Sequence, residues 1–83
     1  MLFMGSAEKI LERMRNNPRD WRIEDLLALA ERLGVGVRRP GGSHVIFSFP
    51  GGIGEATVPA HRPIKPIYVK KFLALVQAMR REE

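Results

Sequence analysis

The spacing of apolar residues changes at Gly34, and this change constrains the possible fold more than any other feature of the chain. Before Gly34, apolar side chains recur at the helical period of about 3.6 residues. They are Ile23, Leu26, Leu27, Leu29, Ala30 and Leu33. After Gly34 the pattern alternates with a period of two, as in strands that bury one face. The sequence therefore predicts an α+β domain, in which helices cover one face of a sheet.

Two further helices are predicted besides the one that spans about Ile23 to Leu33. The first follows Ser6, a residue type that caps helix N-termini, and ends at the segment Asn16-Asn17-Pro18. The last runs from about Ile67 to Arg81. It starts after Pro66, whose fixed φ suits the first turn of a helix.

Strands are predicted from Val35 to Arg38, from Ser43 to Phe49 and from Glu55 to Pro59. Segments 40–42 and 50–54 separate them and are rich in glycine and proline. Connections this short favour an antiparallel meander.

The predicted element order is α-α-β-β-β-α, with a three-stranded antiparallel sheet and the second and last helices on one of its faces. The expected core side chains of the strands are Val35, Val37, Val45, Phe47 and Val58. From the second helix onward this is the α-β-β-β-α order of the double-stranded-RNA-binding fold. We therefore predict an N-terminal extension with one helix over residues 1–22 and the main domain over residues 23–83.

Composition narrows the classes of function. A chain of 83 residues builds one small domain with a thin core, so any site should lie on an open face or groove. The formal charge of +5 favours a polyanionic partner. The absence of cysteine excludes disulfides and thiolate zinc sites, and two distant histidines make a metal site unexpected. No apolar run suits a membrane span and the start lacks the basic flank of a signal peptide, so we expect a cytoplasmic protein without membrane contact.

The expected position of His44 on its strand makes it the candidate catalytic residue. Strand alternation directs Val45 and Phe47 to the core and leaves His44 on the open face. The preceding segment, Gly41-Gly42, lets a phosphate approach the backbone closely, and Arg38 is expected on the same outer face. On these residues alone, a hairpin turn followed by an exposed strand residue is the simpler interpretation.

Other residues are weaker candidates. His61, after the last strand, is either a second acid-base group or phosphate contact, or a residue that caps the loop. Basic side chains that are either RNA-backbone contacts or part of a solvated surface are Arg38, Arg39, Arg62, Lys65, Lys70 and Lys71. Trp21 and Tyr68 are expected to pack in the fold rather than to stack on bases, and Trp21 to attach the first helix.

Two segments resemble the HicA toxin family: Gly42-Ser43-His44-Val45-Ile46-Phe47 and Thr57-Val58-Pro59-Ala60-His61. The family combines a Gly-Ser-His-like turn, a strand with an aromatic residue, a Val-Pro-x-His-like strand end and a closing helix. The resemblance spans roughly residues 23 to 76. Two departures are the segment before Ile23 and the acidic Glu24-Asp25, where the family is more basic.

The resemblance implies a double-stranded-RNA-binding fold and a ribosome-independent toxin that cleaves mRNA. It also implies that a HicB-type antitoxin neutralises the toxin and that the complex forms an oligomer through the antitoxin. By the same resemblance, the family's catalytic histidine corresponds to His44. Gly42 and Ser43 are then expected to contact RNA. No metal or cofactor is needed, because the RNA's own 2′-hydroxyl attacks the adjacent phosphate, with histidine as acid or base.

Two other functions stay open at this point. A non-catalytic RNA-binding module of the same fold would bind RNA without cleaving it. A protein-interaction domain would use its exposed strand edge and the face around Ile46 to pair with a partner.

Overall fold

The chain folds into a three-stranded sheet covered by helices. The computed structural model describes residues 5–49, 51 and 54–81 of the chain. The elements are α1 (Ser6–Asn16), α2 (Ile23–Leu33), β1 (Gly36–Arg38), β2 (His44–Ser48), β3 (Glu55–Pro59) and α3 (Pro66–Arg81). The predicted α+β class and element order are confirmed. Pro50, Gly52 and Ile53 of the predicted hairpin loop lie outside the described residues, as does the side chain of Arg81.

Helix α1 begins one residue earlier than its predicted cap implied. Gly5 is the N-cap residue and has an extended backbone, while Ser6 is already helical. The expectation that Ser6 caps this helix is therefore wrong. Its hydroxyl instead accepts a hydrogen bond from the guanidinium of Arg32 on α2. A contact between residues far apart in the chain thus replaces the local cap.

Helix α2 has the predicted bounds, and the hydrogen bonds and backbone conformation at its two ends explain them. The Asp25 carboxylate accepts a hydrogen bond from the Arg22 backbone N–H at 2.9 Å, which satisfies a donor at the helix start. At the other end Gly34 adopts φ 78°, a left-handed conformation that favours glycine. The Val35 N–H then donates to the Ala30 carbonyl at 2.9 Å and turns the chain toward β1.

The strands form an antiparallel sheet in the order β1-β2-β3. Val45 lies opposite Val58 and Phe47 opposite Ala56, and these side chains are buried on one face. The Phe47 ring packs edge-on against Phe72 of α3, with ring centroids 4.9 Å apart. Helices α2 and α3 therefore lie on this inner face, as predicted. The opposite, outer face is left to solvent.

Val37 does not join the core as predicted. It lies opposite Phe47 and so belongs to the inner face, yet it is 39% exposed. Strand β1 is a three-residue edge strand with a neighbour on one side only. Val35, just before the strand, is buried and supplies the apolar contact with the helices at this edge. The core prediction was therefore wrong for Val37 and right for Val35.

Helix α1 belongs to the same core as the rest of the molecule. Leu11 and Met14 have no exposed surface and lie in one apolar cluster with residues of α2, α3 and the sheet. The carboxylate of Glu8 pairs with the Arg80 guanidinium near the end of α3. None of the helices described here is long and apolar enough to cross a membrane.

Truncation of Leu11 to Ala should lower the free energy of unfolding by about 2–5 kcal/mol, because it leaves a cavity where α1 meets the core. Urea unfolding followed by circular dichroism measures this. The control is Ile67→Ala, since Ile67 is 58% exposed on α3. It should change the free energy by less than about 0.5 kcal/mol. A Leu11→Ala cost as small as that of the control would mean that α1 is not part of the cooperative core.

Candidate active site

The candidate residues gather at one end of the sheet, where β1 and β3 finish and β2 begins. The register places Arg38 opposite Ile46 and His44 opposite Pro59. The turn 39–43 and the loop 60–65 therefore leave the sheet at the same end. We call this end, with residues 38–44 and 59–65, the histidine end of the sheet.

His44 is the first residue of β2, and its side chain is exposed. Its neighbour Val45 has no exposed surface, so strand alternation directs the imidazole to the outer face. Just before it, the Ser43 carbonyl accepts a hydrogen bond from the Ala60 N–H at 2.6 Å. The backbone on either side of His44 is therefore held by β3. The predicted placement of His44 on the open face is confirmed, while its chemical role stays a prediction.

The turn before His44 depends on its glycines. Gly41 and Gly42 have φ of 137° and 69°, which side-chain-bearing residues rarely adopt. An added Cβ at either position would meet no atom within 4 Å. Backbone conformation rather than crowding therefore requires glycine here. The surrounding space is open, so a phosphate can reach the backbone of this turn.

Arg38 lies on the outer face, as predicted, but its guanidinium is engaged. Nη2 of Arg38 is 2.5 Å from Oε2 of Glu55 on β3, so the ion pair crosses over β2. Both side chains are about half exposed. A pair this open contributes about 0–1 kcal/mol, so a phosphate can compete for Arg38.

The loop 60–65 carries His61 and Arg62, both exposed, and is attached to the helices through Ile64. Ile64 is buried, and its N–H donates to the Trp21 carbonyl at 2.9 Å. The peptide bond between Arg62 and Pro63 is cis. His61 directly follows Ala60, whose N–H donates to the Ser43 carbonyl just before β2. His61 and His44 therefore lie at the same end of the sheet.

Arg62 reaches back to the first turn of α2. Its Nη2 is 3.1 Å from Oε2 of Glu24. A backbone hydrogen bond at Glu24 and, after it, the charge of Arg62 hold the pKa of this carboxyl below its ordinary value. Both partners are mostly exposed, so this pair is also open to competition by a phosphate.

The remaining predicted cations divide into two groups. Arg39 and Lys65 are exposed at the histidine end. Lys70 and Lys71 lie further along α3, which packs on the inner face of the sheet, so they do not share the surface that carries His44. The Lys71 Nζ lies 5.6 Å from the centroid of the half-buried Tyr68 ring, a cation-π contact.

Sequence reasoning missed the two carboxylates that hold Arg38 and Arg62. Glu55 could have been found, because strand alternation assigns it to the outer face together with Arg38. The Glu24–Arg62 pair joins residues 38 positions apart, and no local pattern signals it. In the part of the chain that the structure describes, no group of three or more carboxylate or imidazole side chains could hold a metal ion.

Comparison with known proteins gives one match. Residues 23–78 match the model of the family described as HicA toxin of bacterial toxin-antitoxin systems. The matched segment starts at the first residue of α2, contains the whole sheet and ends within α3, whereas α1 precedes it. A search of curated proteins found no significant match, and a search of solved structures found none either.

The Glu24 carboxyl should titrate below the ordinary range of glutamate in a side-chain NMR titration. A lowered pKa in the folded state means that Glu24 stabilises the fold above its unfolded-state pKa, and that this contribution is lost as the pH falls through the folded-state value. Arg62→Gln should raise the pKa part of the way back, since the backbone hydrogen bond remains.

The matched control for this titration is Arg39→Gln, which removes the same charge from the histidine end without touching Glu24. It should leave the Glu24 pKa nearly unchanged. An ordinary pKa for Glu24 in the wild type, or equal effects of both variants, would contradict the assigned contact.

Proposed function

Because the chain belongs to the HicA toxin family of toxin-antitoxin systems, we propose that it is a metal-independent endoribonuclease that cleaves mRNA. The observation that carries the proposal is the exposed imidazole of His44 on the outer face, next to an open glycine turn. His44 acts as general acid or base. This assignment comes from the family resemblance and is supported by the accessibility of the side chain.

Apart from proton transfer, the reaction requires few functional groups of the protein. The 2′-oxygen of the RNA bonds to the adjacent phosphorus, and the bond from phosphorus to the 5′-oxygen breaks. One proton leaves the 2′-hydroxyl and one reaches the departing 5′-oxygen. An imidazole can perform either transfer near neutral pH. His44 takes one of these roles, and His61, at the same end of the sheet, is the candidate for the other.

Cations around His44 bind the RNA backbone. Arg39 and Lys65 are exposed and have no ion-pair partner among the described residues, so they contact phosphates directly. Arg38 and Arg62 exchange their carboxylate partners for phosphates when RNA binds. Gly42 and Ser43 contribute backbone N–H groups of the turn, and Lys70 and Lys71 contact more distant parts of the RNA. The affinity that such contacts provide depends on the salt concentration and little on the RNA sequence.

A HicB-type antitoxin neutralises the toxin by covering the outer face of the sheet, and the complex assembles as an oligomer through the antitoxin. Ile46 in the middle of this face is half-buried and offers apolar area beside the charged groups. The site of action is the cytoplasm, where mRNA and antitoxin are both present.

A protein-interaction domain is the second candidate, favoured by the exposed Val37 on the edge strand β1. An unpaired strand edge with an apolar side chain can receive a strand from a partner. This function predicts no affinity for RNA at physiological salt, so an RNA-binding measurement separates the two.

Replacement of His44 by Ala should abolish RNA cleavage by the purified protein and relieve the growth arrest caused by its expression. Loss of one acid-base group costs about 10²–10⁴-fold in rate. His61→Ala is the companion variant, with a similar loss only if His61 supplies the second proton transfer. Circular dichroism should be unchanged for both variants, because both side chains are exposed.

Equal cleavage and equal toxicity of the His44→Ala variant would contradict the catalytic assignment. Undiminished RNA binding by that variant, together with an absence of cleavage in the wild type, would instead favour the non-catalytic RNA-binding module.

A further inference from the structure

A groove of about 700 Å³ lies between α1 and α2 and is separate from the outer face of the sheet. The connection from Asn17 to Arg22 forms one end of it. This connection also contacts the histidine end, through the hydrogen bond from the Ile64 N–H to the Trp21 carbonyl at 2.9 Å. A backbone contact therefore links one end of the groove to the loop that carries His61 and Arg62.

Trp21 lines this groove and is held in a fixed orientation. Its indole N–H donates to the Asn17 carbonyl at 2.6 Å, and its ring is half-buried. The guanidinium carbon of Arg13 lies 5.5 Å from the ring centroid. Arg13 therefore lies over one face of the ring, and an arginine stacked on an aromatic ring offers both a planar surface for a base and a phosphate contact, the combination on which single-stranded nucleic acids bind.

The charged side chains of the lining, three arginines and two aspartates, leave it with a net positive charge of one. Arg13, Arg19 and Arg32 contribute guanidinium groups, against the carboxylates of Asp20 and Asp25. The Asp25 carboxylate is already engaged by the Arg22 N–H. Arg19 is exposed, and Arg32 donates to the Ser6 hydroxyl at the far end of α1. The lining is thus suited to an extended anion, because its cations are distributed along the groove rather than gathered at one point.

We propose that this groove binds the single-stranded continuation of the RNA that is cleaved at His44. Trp21 stacks against a base, and the arginines contact the phosphates that follow. This inference rests on the proposed function and deepens it. Since Arg13, Arg19 and Trp21 precede the family match at residues 23–78, the subsite is an addition that the N-terminal segment makes to the matched domain.

The test uses Trp21 as its own probe, because it is the one tryptophan of the chain. The full-length wild type is titrated with an unstructured 2′-O-methyl RNA oligonucleotide, which the 2′-oxygen cannot cleave. Binding should quench the fluorescence of Trp21. Arg19→Gln and Arg32→Gln should each reduce the slope of log K against log salt by about 0.7, the value for one phosphate contact to a single strand.

The matched control is Arg15→Gln. Arg15 is exposed on α1, pairs with Glu12 at 3.1 Å and lies outside the groove, so its loss removes the same charge without changing the lining. It should leave the salt slope nearly unchanged. Misfolding is not expected to explain the effect of Arg19→Gln, since the Arg19 side chain is exposed and forms no hydrogen bond or ion pair within the described part of the chain.

Unchanged Trp21 fluorescence at saturating RNA, or slopes for Arg19→Gln and Arg32→Gln equal to that of Arg15→Gln, would overturn the inference. RNA cleavage that depends on His44 would then still stand. Conversely, quenching with the predicted slopes but no cleavage by the wild type would support the groove and refute the proposed function.

Discussion

The register of β2 against β3 decides which side chains this domain offers to a ligand. With Val45 opposite Val58 and Phe47 opposite Ala56, the inner face is fully apolar and closes against the helices. A slip of one residue would bury His44 and expose Phe47, so burial of the apolar set holds the register firmly. The hydrogen bond from Ala60 to Ser43 extends this pairing past the strand ends, and the position of His44 depends on it.

Around this rigid centre the charged groups are held only weakly. Arg38 and Arg62 each pair with a carboxylate, Glu55 and Glu24, in contacts open to solvent. Such pairs can be exchanged for phosphates at little cost. The arrangement leaves Arg39 and Lys65 as cations without an ion-pair partner among the described residues, and it lets Arg38 and Arg62 turn to a phosphate when one is present. It also accounts for acidic residues in a surface where the family resemblance implies basic ones.

Much of this fold follows from local patterns. The change of period at Gly34 and the glycine and proline segments predict each helix and strand to within about a residue or two at most ends, because local backbone preferences decide these boundaries. Alternation along β2 predicts the exposure of His44 for the same reason. What local patterns missed depends on distant contacts. Ser6 bonds to Arg32 instead of capping α1, and Val37 is exposed because β1 is an edge strand. The groove beside Trp21 arises only when α1 packs on α2.

The ends of the RNA fragments test the central claim most directly. If His44 assists attack by the 2′-oxygen, RNA incubated with the purified protein and a chelator should yield fragments with 2′,3′-cyclic phosphate and 5′-hydroxyl ends, identified by mass spectrometry. Fragments that carry 5′-phosphate ends, or cleavage that stops when divalent metal is removed, would contradict the account, because either result requires an activated water or a metal rather than the imidazole of His44.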